Sequence, residues 1–353
     1  MQDYINEQPG LLARTVDHRM DLVGDFVNSC QDEDIERIVL IGSGSSYNAA
    51  LMAKPFIEKV MGIEVDVIYP SRLQDITNIA AQKVLYIVVS QGGHSSNTSQ
   101  AIKELRNHQL PLVGVTEFPN SPIGEQVDLA LIIPIGEELI GAKTKGVTTS
   151  TLMLMLAFLE LGARQKKINN TFYLSLLEAF SKVFGHMTDN IQRAIDWCGS
   201  VIPIFSPLDT LTIIAKGNEI GAASEGRLKL LETICRPVIY YEFEEYLHGP
   251  QNTLDSDTYT ILLLPEDDDE ERMLRLSEFA NRQGAHFVLI DRLDKQQQNE
   301  RLSLTSAGNT LLTCFEFLPP LQTLSAQFSK QLGVDITRPK YPDFSSAMGT
   351  KLG

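Results

Sequence analysis

The chain has 353 residues, 43% of them hydrophobic and 21% charged, with 30 Lys plus Arg against 45 Asp plus Glu, a formal net charge of −15. That is the composition of a globular protein of about two domains, with enough apolar residues to fold without disulfides or metal. So acidic a chain argues against a nucleic-acid partner, which needs clustered Lys and Arg, but it is compatible with one small phosphate held by backbone N–H groups.

Residues 1–33 read as a helical arm, with apolar positions at Leu11, Leu12, Val16, Met20, Leu22 and Val23. Four β-branched-rich runs follow: Ile38–Ile41, Val84–Val89, Leu112–Val115 and Leu129–Ile133. Helical-period stretches such as Ala49–Met61 and Ser96–Asn107 separate them. Strand–helix alternation of this kind predicts a parallel sheet covered by helices on both faces. This first α/β domain is placed at 34–165, followed by a helical linker at 166–200.

A second α/β domain is placed at 201–332, with strands expected at Leu211–Ile214, Thr258–Leu264, His286–Ile290 and Thr310–Phe315. Val84 and Thr258 are 174 positions apart, as are Leu112 and His286, and Gly44 and Gly217 are 173 apart. A nearly constant offset predicts a duplicated unit. The tail, 333–353, is polar and Pro-interrupted, and is expected to lie over another surface.

The four cysteines show no metal-ligand spacing, so no metal site, cofactor or disulfide framework is expected, and Cys235 and Cys314 are expected in the core. The start, MQDYINEQPGLL, lacks the features of a secretion signal. The longest apolar stretch, Leu152–Leu159, is too short to span a bilayer. A cytoplasmic protein without a membrane partner is expected.

Three turns at strand ends carry phosphate-binding chemistry. Gly42-Ser43-Gly44-Ser45-Ser46-Tyr47 follows the first strand and opens a helix. Its glycines allow a sharp turn, and the helix start offers N–H groups to an anion. Tyr47 occupies the third glycine position of a dinucleotide fingerprint, so that reading fails. Ser90-Gln91-Gly92-Gly93-His94-Ser95-Ser96 forms a similar turn after the second strand, and Gly141-Ala142-Lys143-Thr144-Lys145-Gly146 a third. Turns after adjacent parallel strands converge at the carboxyl edge of a sheet, where such folds bind ligands.

In the second half, Glu225, Lys229 and Glu232 share one helical stripe, flanked by Leu228, Leu230 and Leu231. Buried carboxylates beside a lysine are candidates for proton transfer. His248 sits on a turn before Gly249-Pro250 and adds an imidazole to the carboxylates.

These residues resemble the sugar isomerase (SIS) family of phosphosugar-binding domains, and in particular the isomerase half of glutamine–fructose-6-phosphate amidotransferases. Tyr4-Ile-Asn-Glu7-Gln8-Pro9 resembles that family's N-terminal arm. Gly44-Ser45-Ser46-Tyr47, Ser90-Gln91-Gly92-Gly93 and Ala142-Lys143-Thr144-Lys145 resemble its three turns. The resemblance implies two tandem SIS-type domains, with Ser45, Ser46, Ser90, Gln91 and Ser95 holding a sugar phosphate and Gly44, Gly92, Ala142 and Lys143 completing the pocket. It implies that Glu232 moves a proton between C1 and C2, with Lys229, beside Glu225, orienting it or stabilising the enolate-like oxygen. His248 would serve ring opening across the interface of a homodimer.

The departures are as informative. The chain starts Met1-Gln2 without an N-terminal cysteine nucleophile, so no glutaminase activity is expected. Alignment on Val334-Asp335 and Arg338 puts Pro342 where the amidotransferase tail has its imine-forming lysine, with Lys340 two residues earlier. Gly92 and His94 replace a serine and a glutamate of the second turn. A substrate that already carries its amine needs no such lysine, so the expected activity is that of a deglycase acting on a fructosamine 6-phosphate. An aldose–ketose or amino-sugar-phosphate isomerase or deaminase is the alternative. A non-catalytic phosphosugar-binding regulator is a third reading, weakened because residues 1–33 contain only Arg14, His18 and Arg19 as basic residues and are too short for a DNA-binding helix-turn-helix.

Overall fold

The computed structural model describes residues 1–76 and 83–352. The chain divides into two compact units. The first comprises Gly10–Phe180 with Arg338–Gly353, the second Met1–Pro9 with Ser181–Thr337.

In the first unit, β1 (Arg37–Ile41), β2 (Val65–Ile68), β3 (Val84–Val89), β4 (Leu112–Thr116) and β5 (Leu129–Ile132) form a parallel sheet in the order β2-β1-β3-β4-β5. Strands this apolar satisfy their backbone groups in the ladder and bury both faces. Helix α4 (Ser96–Asn107) lays Ala101, Ile102 and Leu105 against Val39, Ile41, Tyr86 and Val88. Helices α2 (Arg19–Cys30), α3 (Ser45–Met61) and α5 (Lys145–Arg164) pack together: Phe26 meets Phe158 edge-on at 5.5 Å, and Thr151 Oγ1 donates to the Ala49 carbonyl. By length and composition α5 suits a membrane span, yet 94% of its apolar window is buried in the protein.

The second unit repeats the winding. Strands β6 (Leu211–Ala215), β7 (Val238–Glu242), β8 (Tyr259–Leu263), β9 (His286–Asp291) and β10 (Arg301–Ser303) pair in parallel, in the order β7-β6-β8-β9-β10. Around them lie α7 (Ile220–Ile234), α8 (Phe243–Tyr246), α9 (Glu270–Arg282) and α10 (Cys314–Gln331). Two helices run from one unit into the other, α1 (Gln2–Asp17) and the 36-residue α6 (Asn170–Phe205).

The two sheets and their helices match the expected α/β class. Several elements differ from the sequence reading. The arm is two helices, parted at His18, whose φ of −96° and ψ of 15° leave the helical region. Thr310–Phe315 is not a strand: Asn309 accepts the Leu311 N–H, and the run turns into α10, so the strand at that position is β10. A short apolar run is equally at home in a buried helix. Strands β2 and β7 were not expected. Cys235 is exposed rather than in the core, because it ends α7 in a left-handed conformation at φ +54°; Cys314 is buried. The tail, with α11 (Phe344–Ala347), belongs to the first unit.

Candidate functional site

The first turn places Gly44 at φ +57° and ψ −131°, a conformation glycine adopts without strain, directly before α3. Ser45 and Ser46 are half-buried on the opening turn of that helix. Gly44, its N-cap, has no side chain with which to cap it. The second turn holds Ser90 and Gln91 buried, with the Ser90 N–H bonded to Val115 O at 2.9 Å. Gly93 closes the turn at φ +68°, its N–H donating to Ser90 O; a Cβ there would lie 1.9 Å from Ser121 Oγ. Gly92 is exposed with open space around it, and Ser95 is half-buried at the start of α4.

Asn97 ties these two turns together. Its Nδ2 donates to Ser43 Oγ at 2.9 Å, and its Oδ1 accepts from Ser95 Oγ at 2.5 Å. The Ser95 hydroxyl is thereby diverted from capping α4. The two turns thus meet beside the starts of α3 and α4 with hydroxyl groups at hand, an arrangement suited to an anion. The tail touches the same place: Leu352 N–H donates to His94 O at 2.8 Å, Ser96 N–H to Thr350 O at 3.2 Å, and Ser96 Oγ to Gly349 O at 2.7 Å.

The third turn is built differently. The buried Glu138 carboxylate accepts from Thr144 N–H (2.6 Å), Thr144 Oγ1 (2.7 Å) and Gly146 N–H (3.1 Å). A protein carboxylate therefore already occupies the start of α5. Ala142 and Lys145 are buried, and Lys143 is half-buried with Nζ on Glu138 O at 2.5 Å. The turn abuts the second one, since a Cβ on Gly146 would come within 2.1 Å of Gln91 Nε2. Ser43, Asn97 and Glu138 were not singled out from sequence. Asn97 had a legible signal, an amide two residues past a helix-opening serine, whereas Glu138 lies in an irregular segment that no pattern marks.

In the second unit, α7 aligns Glu225, Lys229 and Glu232. Glu225 and Lys229 are fully buried (0% and 1% exposed), while the Glu232 side chain retains 37% of its exposure. Lys229 Nζ lies 3.4 Å from Glu225 Oε1 and donates to Glu232 Oε2 at 2.7 Å. Burial acts to lower the Lys229 pKa, but the two carboxylates outweigh it and hold the ammonium above its ordinary value. The backbone is pinned as well: Lys229 O accepts from Thr233 Oγ1 and from Ser325 Oγ of α10. Gly226 lets α10 approach, because a Cβ there would lie 2.4 Å from Leu321 Cδ1. A fixed ammonium thus orients one accessible carboxylate, the requirement for a directed base. His248 is exposed on the turn after α8, its N–H bonded to Glu245 O at 3.1 Å.

At the carboxyl edge of the second sheet, charge replaces hydroxyls. Buried Arg292 pairs with Glu316 and lies 3.3 Å from Glu266, and burial pushes the Glu219 carboxyl up to about 6. No metal-binding group of three His, Cys, Asp or Glu occurs among the described residues.

Residues 33–160 match the profile of the SIS domain. Over that stretch the chain is similar to the SIS domain. Its architecture matches tandem SIS domains over nearly the whole length. A Clostridium difficile 630 protein provisionally assigned as a phosphosugar isomerase superposes with a TM-score of 0.89 at 26% identity, covering 99% of this chain and 98% of that one. A Salmonella typhimurium LT2 protein provisionally assigned to sugar binding superposes with a TM-score of 0.83 at 27% identity, covering 92% and 99%. The glutamine–fructose-6-phosphate aminotransferase of Caldanaerobacter subterraneus subsp. tengcongensis is 26% identical over 349 residues. That match covers 95% of this chain and 57% of the aminotransferase, so the chain spans little more than half the length of such relatives.

Proposed function

We propose that this SIS-domain protein is a phosphosugar enzyme, a deglycase that releases hexose 6-phosphate and an amine from a fructosamine 6-phosphate. The observation that carries the reading is the accessible Glu232 carboxylate held by the buried Lys229 ammonium. Ser45, Ser46, Ser90, Gln91 and Ser95 bind the phosphate, with Gly44 and Gly92 leaving room for it and Ala142 and Lys143 closing the pocket. Glu232 takes the proton from C1 of the 1-amino-1-deoxyketose, giving an enaminol, and returns it to C2. The product is an imine of the aldose, which water hydrolyses to hexose 6-phosphate and free amine. Lys229 aims Glu232 by its hydrogen bond and stabilises negative charge as the enaminol forms. Pro342 stands where an imine-forming lysine would be needed, and Lys340 is exposed with Nζ 5.7 Å from the Tyr341 ring centroid. A substrate bearing its own amine makes such a lysine unnecessary. His248, exposed on its turn, is offered across the interface of a homodimer for ring opening.

A second reading, an aldose–ketose or amino-sugar-phosphate isomerase, is favoured by the likeness to the C. difficile protein assigned to that class. The two are separated by incubation with fructosamine 6-phosphates and with simple hexose 6-phosphates. A deglycase releases hexose 6-phosphate, followed by a coupled dehydrogenase, and that release disappears in Glu232→Gln while binding persists. Deuterium exchange at C2 of a simple hexose 6-phosphate without amine release assigns the isomerase instead.

A further inference from the structure

The crevice between β1 and β3 is where the first sheet reverses its winding, since β2 lies on one side of β1 and β3 on the other. Ligands of open α/β sheets settle at such a switch point. Asn97, in the first turn of α4, spans it: its Nδ2 donates to Ser43 Oγ, and its Oδ1 accepts from Ser95 Oγ. Asn97 is exposed and Ser43 half-buried, so both reach the surface of the crevice.

The hydrogens of this network can be counted. An Asn amide carries two N–H hydrogens and each serine hydroxyl one. Ser95 gives its hydrogen to Asn97 while accepting from Thr98 Oγ1 at 3.1 Å. Thr98 is fully buried, so that direction is set from behind. Asn97 gives one amide hydrogen to Ser43, whose Oγ is therefore the acceptor of that bond. The Ser43 hydroxyl hydrogen and the second amide hydrogen of Asn97 meet no acceptor among the described residues. Two neutral donors thus stand in the crevice, beside the start of α3 on one side and of α4 on the other.

We infer that Ser43 and Asn97 are ligands of the substrate's phosphate, each donating one hydrogen, and that Asn97 sets the direction of the Ser43 hydroxyl. The inference rests on the phosphate pocket proposed above and adds two residues to it. Phosphate oxygens only accept, and hydrogen bonds to charged oxygens are about twice as strong as neutral ones. A sugar hydroxyl would bring a hydrogen of its own, and the side-chain carbonyl at hand, Asn97 Oδ1, is already engaged by Ser95. Ser95 in turn supports the phosphate by holding Asn97, and its own hydroxyl reaches the ligand only by releasing Oδ1.

The test uses glucose 6-phosphate as the probe, with affinities from calorimetry on the full-length protein and on its Ser43→Ala, Asn97→Asp and doubly substituted forms. Ser43→Ala removes one donor. Asn97→Asp keeps an acceptor for Ser95 but has no hydrogen to give, so Ser43 turns its own toward the new carboxylate and both donors are lost. Ser43→Ala is expected to weaken binding about tenfold, the scale of a hydrogen bond to a charged group, and Asn97→Asp by more. Adding Ser43→Ala to Asn97→Asp changes little further, because the hydrogen it removes no longer faces the ligand. A donor also favours the dianion, so the second pKa of the bound phosphate, read by phosphorus NMR, rises in Ser43→Ala. His94 and Lys351, titratable residues beside the second turn, are the same in every form, so their effect cancels. Three results overturn the inference: Ser43→Ala binding within about twofold of wild type, losses that simply add in the double form, or a weakened Ser43→Ala complex whose phosphate titrates as in wild type. Ser43→Ala leaves the Asn97–Ser95 bond in place, so the first and third results stand even where Asn97→Asp fails to fold. No binding of glucose 6-phosphate by the wild type refutes the phosphate pocket as a whole, an outcome distinct from the loss of these two ligands alone.

Discussion

Lys229 and its two carboxylates differ in what their removal does. Glu232 keeps contact with solvent, so Glu232→Gln leaves the helix intact and removes the base. The expected outcome is phosphosugar affinity within about twofold of wild type and turnover lost by two orders of magnitude or more, the usual scale for a general base, as read by coupled assay and calorimetry. Lys229→Met strands Glu225, buried at 0% exposure, without its cation. A buried charge left uncompensated costs about 3–5 kcal/mol, so the urea midpoint should fall by that equivalent, and by far less for Glu232→Gln. Glu219 makes a different kind of prediction. Burial raises its folded-state pKa from 4.5 to about 6, so folding favours the protonated acid. Its contribution is fully present below about pH 4.5 and is lost as pH rises through about 6, amounting to about 2 kcal/mol. Glu219→Gln should flatten that part of the stability–pH curve measured by urea titration; an unchanged slope assigns the titration elsewhere.

At the scale of elements, the contrast between helix starts organises the molecule. α3 and α4 begin after Gly44 and Ser95, whose own side chains make no cap, whereas α5 begins on the carboxylate of Glu138. Gly44→Ala forces a Cβ onto φ +57° and ψ −131°, costing about 1–3 kcal/mol and tilting the α3 N–H groups. Thermal melts and phosphosugar titration should fall together in that variant. Gly226→Ala instead pushes on Leu321 across the α7–α10 contact, and is expected to cost about 1–3 kcal/mol with an unchanged denaturant slope. These elements also mark how far sequence carries. The apolar runs of β1, β3 and β4 are bounded by glycines and serines, so the strands and the turns after them were legible. Strand β2, Val-Asp-Val-Ile, has a charge in its centre and lies at the sheet edge, where burial imposes less pattern. Thr310–Phe315 failed for the opposite reason: it is apolar enough for either structure, and Asn309 decides the outcome through a local hydrogen bond. The stripe of Glu225, Lys229 and Glu232 follows from helical spacing, but the diversion of the Ser95 hydroxyl to Asn97 depends on a meeting of two turns far apart in sequence.

The whole molecule is a duplicated fold in which one copy has kept its sheet edge open. Both sheets wind in the same order, yet after β1 and β3 the first unit places hydroxyls and amides, while the second fills its corresponding edge with Arg292, Glu316 and Glu219. The phosphate pocket proposed for the first unit is built mainly of neutral donors, within a chain of net charge −15. This combination sets the sign of the salt dependence. Clustered Lys and Arg would make anion affinity fall steeply with added salt, whereas here the long-range field of the protein repels a phosphate and salt screens that repulsion over a Debye length of about 10 Å at 0.1 M. Titration of hexose 6-phosphate between about 20 and 200 mM NaCl should therefore give an affinity that is flat or rises modestly, with an association rate that increases. An affinity that falls across that range would place binding on lysine charge, and not mainly on the serine turns and helix starts that Asn97 joins.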